Sequence, residues 1–113
     1  MNSILKNQIE KSLALVISNL KSEKEAQQFL HSFLTTNELK ILSKRLAVTY
    51  WLIKKRNYAN IKNNLKVTTK TISETEPLLK KPSIQKAIKN LDADVWADKW
   101  SQKLRSVITK THL

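Results

Sequence analysis

The chain has 113 residues, 41% of them hydrophobic, and carries 21 Lys plus Arg against 9 Asp plus Glu, a net charge of +12. That size suits one domain, or one domain with an appendage, and the apolar content is enough for a core, so global disorder is not expected. Lack of Cys excludes a disulfide framework and a zinc–cysteine site, lack of Gly excludes a glycine-rich phosphate loop, and His31 and His112 stand too far apart for a histidine-rich metal cluster.

Helical periodicity dominates from the start. Ile9, Leu13, Val16 and Leu20 recur on one face of a first helix, which Ser3 is expected to cap. Ser22-Glu23-Lys24-Glu25 is a capping box, with a serine three residues before a glutamate, and predicts a second helix carrying Phe29, Leu30, Phe33 and Leu34. Thr35-Thr36-Asn37-Glu38 is another. It opens a long third helix with Leu39, Leu42, Leu46, Val48, Trp51, Leu52 and Ile53, expected to stop near Arg56-Asn57. Apolar residues on more than one face suit a central helix or one at a subunit interface.

Two short helices are predicted next, over 58–65 and 69–76, with Lys66-Val67-Thr68 between them. Pro77 ends the second, because it lacks an N–H and clashes with the preceding turn. Ser83 is expected to cap a helix with Ile84, Ala87, Ile88 and Leu91. Asp92 or Asp94 is expected to start a last one, with Trp96, Trp100, Leu104 and Val107 on one face. No strand-like alternation persists, so the fold class is all-α with about six helices. The domain expected is 1–91, with 92–113 as an amphipathic helical extension.

Charge is segregated along the chain. Residues 1–38 are neutral overall, and 39–91 carry +11. From Leu39 through Ser73 there are nine basic residues and no acid. Coding bias would act on the whole chain alike, so a polyanionic partner is the simplest cause; a merely solvated Lys-rich surface is the alternative. No apolar run approaches the ~18 residues of a membrane span. The opening Met1-Asn2-Ser3-Ile4-Leu5-Lys6 lacks the apolar core of a signal peptide. A cytoplasmic, nucleoid-associated protein with no membrane contact is expected.

Two short helices, a tight turn and a basic context suggest a helix-turn-helix at 58–76. Such a motif needs inward apolar residues to fix its interhelical angle, and Ile61, Leu65, Val67 and Ile72 stand at the required places. Its second helix must also present groups that fit a DNA groove. Thr69, Lys70, Thr71 and Ser73 do so: short hydroxyls permit close approach, and Lys70 reaches a guanine or a phosphate. The usual turn glycine is Lys66, which at a positive φ costs about 1 kcal/mol or more.

Phe33-Leu34-Thr35-Thr36-Asn37-Glu38-Leu39, Lys44-Arg45-Leu46, Ile61-Lys62-Asn63-Asn64-Leu65 and Lys70-Thr71-Ile72-Ser73 together resemble the Trp repressor family, above all its bacterial Trp-repressor-like branch. The resemblance covers about residues 12–90. It implies an all-helical fold, an intertwined homodimer and a double-stranded DNA partner, with the second helix of the motif in a major groove. It assigns Lys62, Lys66, Thr68, Thr69, Lys70, Thr71 and Ser73 as DNA-binding positions. It also implies a remnant effector pocket at Thr35, Arg45 and Glu74. In the family, tryptophan lies between two arginines. Arg45 stands at the first place and Glu74 at the second, while Thr75 replaces a glycine and Leu78 a serine. An acid beside an amino-acid carboxylate repels it, so tryptophan is not expected as corepressor. For Arg45 a structural ion pair or phosphate contact is the favoured role.

The remaining features invite plainer readings. His31, among Phe29, Leu30 and Phe33, reads as a partly buried helix residue, and Glu38 as part of its capping box. Glu74 and Glu76 suit solvated or intrahelical pairing better than contact with a cytosine amine. Trp96 and Trp100 read as packing residues. Nothing supports catalysis, a metal site or a cofactor. Two functions stay open: a sequence-specific regulator, or a helical adaptor whose basic face binds nucleic acid without sequence preference.

Overall fold

The structure is a computed structural model and describes residues 1–95; Trp96, Trp100 and the expected last amphipathic face lie outside the described residues. Among the described residues there is no strand. The elements are α1 (Ser3–Ser18), α2 (Glu23–Phe33), α3 (Thr36–Ile53), α4 (Tyr58–Leu65), α5 (Thr69–Thr75), a 3₁₀ turn (Glu76–Lys80) and a helix α6 that begins at Pro82 and runs through residue 95. No described helix is long and apolar enough to cross a membrane. The chain divides into two compact units at Ser43/Lys44, within α3.

In the first unit the caps decide the helix boundaries. Asn2, not Ser3, caps α1: its side-chain oxygen accepts from the Leu5 amide at 2.8 Å. Asn caps as well as Ser, and Ser3 is already the first helical residue. Ser22 accepts from the Glu25 amide at 3.0 Å, and Glu25 reaches back to the amide of Lys21 at 3.3 Å. Thr35 and Glu38 form the full reciprocal box: Glu38 N–H donates to Thr35 Oγ1 at 3.1 Å, and Thr35 N–H to Glu38 Oε1 at 2.8 Å. The Thr35 amide, then its hydroxyl, holds the Glu38 carboxyl below the ordinary carboxylate range. Nothing on α1 or α2 is buried. Ile9, Leu13 and Val16, the predicted face, are 50%, 45% and 45% exposed. His31 is also exposed, in the last turn of α2, where the sequence suggested partial burial. Phe29 and Phe33 stack with ring centres 5.2 Å apart.

The second unit holds the core. Val48 of α3, Ile61 of α4 and Ile72 of α5 are fully buried together, and Trp51, Leu52, Tyr58, Leu65 and Val67 pack on them. Burying each of the three aliphatic side chains stabilises the fold by about 1.5–3 kcal/mol. Two hydroxyls share this interior, and each donates to the carbonyl one turn back: Thr49 to Arg45 and Thr75 to Thr71, both at 2.7 Å. Neither is left unsatisfied.

Three boundaries in this unit differ from the sequence reading. α3 ends at Ile53, earlier than Arg56, because Lys55 takes a left-handed conformation with φ 62°. Asn57 instead caps α4, accepting from the Asn60 amide at 2.8 Å. α6 starts at Pro82, with Lys81 supplying the carbonyl for the amides of Ile84 and Gln85; Ser83 is not its cap. Proline suits a first helical position, since its missing N–H would have no partner there. Asp92 and Asp94 start no new helix but continue α6. The Asp92 carboxylate accepts from the Tyr50 hydroxyl at 2.6 Å and pairs with the Lys54 ammonium, tying α6 to the end of α3. Proton donation to Asp92 pushes the Tyr50 phenol up, and the same carboxylate raises Lys54.

Candidate nucleic-acid interface

α4, the turn after it and α5 form a helix-turn-helix built on α3. Ile61 and Ile72 lie inside, and Leu65 and Val67 close over them from the end of α4 and from the turn. α5 packs on α4 and on the 3₁₀ turn that follows. The turn works through Lys66, whose φ of 55° and ψ of 51° put it in the left-handed region. Lys44 Nζ donates to the Lys66 carbonyl at 3.1 Å, fastening the turn to α3. Glycine at Lys66 would keep that carbonyl and lose the steric penalty of a Cβ. Lys66→Gly is therefore expected to raise stability by about 1 kcal/mol, read as a shifted denaturation midpoint. An unchanged or lower midpoint would show that the lysine side chain compensates the strain.

The side chains named from sequence separate into two groups. Lys62, Lys66, Thr69, Lys70 and Ser73 are exposed. Thr68 and Thr71 engage each other: Thr68 caps α5, its hydroxyl accepting from the Thr71 amide at 3.1 Å, and the two hydroxyls lie 3.0 Å apart. Thr71 is half-buried. These two hydroxyls fix the start of α5, while Thr69, Lys70 and Ser73 present its outer face.

Acidic groups border the patch without filling it. Lys70 Nζ lies 3.9 Å from Glu74 Oε1 one turn on, with both side chains well exposed, at 84% and 66%. Such a pair is worth at most about 1 kcal/mol. Tyr58 donates its hydroxyl to the Glu76 carboxylate, which joins the start of α4 to the exit of α5 and pushes the phenol up. Sequence alone gave no sign of this link, because the two residues stand 18 positions apart.

The three positions of the expected effector pocket do different things. Thr35 is occupied in its capping box. Arg45 is exposed and has no ion pair among the described residues, so the structural pairing expected for it is not seen. Glu74 leans along α5 toward Lys70, and Thr75 beside it is buried.

Another cationic element was missed in the sequence. The end of α3 closes with the Lys55 amide donating to the Leu52 carbonyl at 2.9 Å and the Arg56 amide to the Trp51 carbonyl at 3.1 Å. This is the Schellman arrangement, which needs a left-handed residue, usually glycine, where Lys55 stands. It folds Arg56 back so that its guanidinium lies 4.1 Å from the Trp51 ring centre. Residues five apart do not meet on a regular helix, and no glycine marks the turn.

A family model described as Trp repressor protein matches residues 8–91. No curated protein and no solved structure gave a significant match. The matched span contains α2 through the 3₁₀ turn and the whole helix-turn-helix, and the all-helical fold agrees with it. The chain belongs to the Trp repressor family, a family of non-enzymatic DNA-binding helix-turn-helix regulators.

Proposed function

We propose that this chain is a sequence-specific transcriptional regulator of the bacterial cytoplasm that binds double-stranded DNA as a homodimer and does not use tryptophan as corepressor. The observation that carries the reading is the exposed outer face of α5, with Thr69, Lys70 and Ser73 held at a fixed angle by the Lys66 turn and the buried Ile61–Ile72 pair. In a helix-turn-helix this face enters the major groove. Dimerisation is supported by α1, whose Ile9, Leu13 and Val16 stay about half exposed among the described residues. On this reading 1–91 is the DNA-binding domain and 92–113 an extension of it.

The argument against tryptophan rests on a missing cation. A charge-assisted hydrogen bond is worth about 1.5–3 kcal/mol, so losing one arginine weakens carboxylate binding by roughly ten- to a hundredfold. Repulsion from Glu74 adds little, because solvent and Lys70 screen it. Selection from random duplexes should yield a narrow preferred sequence. Adding L-tryptophan to protein and selected duplex should leave the affinity unchanged. Equal binding to every duplex would favour a non-specific adaptor, and a clear tightening at sub-millimolar tryptophan would restore the corepressor.

A further inference from the structure

We propose that Lys55 and Arg56 are a second phosphate-binding element, which grips the DNA backbone beside the helix-turn-helix; the proposal rests on the DNA-binding reading above. Three observations converge on it. Lys55 occupies a left-handed position, φ 62°, where glycine would be relaxed and a lysine is strained. Strain retained at a residue points to a use for its side chain.

Arg56 is held in place before any ligand arrives. Its guanidinium lies over Trp51 at 4.1 Å, and Nη1 donates to Asn60 Oδ1 at 3.3 Å. A planar, pre-positioned guanidinium suits phosphate oxygens better than a mobile ammonium does. Asn60 belongs to the first turn of α4, and the first helix of a helix-turn-helix crosses the phosphate backbone. Arg56 is thus fixed where that backbone passes.

Neither cation is neutralised among the described residues. The ion pairs there are Lys54 with Asp92 and Lys70 with Glu74. Lys54, next in sequence, is occupied in tying α6 to α3, whereas Lys55 and Arg56 are exposed. The three adjacent cations therefore divide into one structural residue and two that face solvent.

The test compares Lys55→Gly, Arg56→Gln and Arg56→Lys with the wild-type chain on a duplex selected by the wild type, across a salt series, with a random duplex alongside. Each phosphate contact contributes a slope of about 0.9 in log affinity against log salt, which is about 8-fold in affinity at 0.1 M salt. Lys55→Gly and Arg56→Gln should each lose about that much per protomer, on both duplexes, and flatten the slope accordingly. Arg56→Lys keeps the charge and should keep most of the slope. Lys55→Gly should at the same time raise the melting temperature by about 4 °C. Weaker binding by a more stable protein has no purely structural explanation, and it keeps the test decisive if Arg56→Gln fails to fold. Unchanged affinity and slope in Lys55→Gly and Arg56→Gln, with wild type binding normally, would overturn the pair alone. A wild-type chain that binds no duplex at low salt would overturn the DNA-binding reading, and the pair with it.

Discussion

Ile72→Ala is expected to destabilise the protein by about 2–5 kcal/mol and to remove DNA binding at growth temperature. Ile72 is fully buried between Ile61 and Val48, so truncation removes its transfer energy and leaves a cavity that three helices share. α5 has only seven residues, too few to hold a helix without tertiary support. It is fixed by Ile72, by the Thr68 cap and by the buried Thr75. Losing the first leaves an outer face with no defined orientation. Denaturant unfolding followed by circular dichroism measures the stability change, and a loss under 1 kcal/mol would show that α5 is anchored elsewhere. Ser73→Ala, on the exposed side of the same helix, should leave stability nearly unchanged.

Lys70→Ala should weaken binding to the selected sequence by roughly 1–3 kcal/mol and relax its specificity, because Lys70 stands on the outer face of α5. Part of the loss comes from Glu74, which then faces the phosphates without the cation 3.9 Å away. Glu74→Gln in the same background should recover some affinity and none of the specificity. Lys62→Ala, on α4, should instead weaken all duplexes alike and flatten the salt dependence. Competition binding with selected and scrambled duplexes separates the two. Equal, sequence-blind losses would remove the distinction between a base-reading and a backbone-reading lysine.

What the sequence disclosed follows the physics of each feature. Short-range hydrogen bonds leave local signatures, and the Ser22–Glu25 and Thr35–Glu38 boxes stand where the residue types predicted them. Period and spacing also sufficed for Ile61, Leu65, Val67 and Ile72, because their burial depends on a helix face and a turn of fixed length. Lys66 was legible as a strained turn residue because a helix-turn-helix usually has glycine there. Lys55 had no such marker, and without it the end of α3 could not be located, nor could Arg56 be brought onto Trp51. Tyr50–Asp92 and Tyr58–Glu76 join residues 42 and 18 positions apart, and only the folded chain brings them together. The exposed face of α1 raises the converse point. Its periodicity was clear, but periodicity says that a face is apolar and not what covers it.

The Asp92 carboxylate has a practical consequence for where this protein can be cut. The family's sequence signature stops at residue 91, one position short of the group that fastens α6 to α3. A fragment trimmed to the signature would leave the Tyr50 hydroxyl and the Lys54 ammonium without their shared acceptor. Its last helix would be held by Ile88, its half-buried neighbours and the bond from Gln85 to the Leu79 carbonyl. The frontier drawn by kinship falls inside α6, which runs on through residue 95, and a truncation must respect the helix.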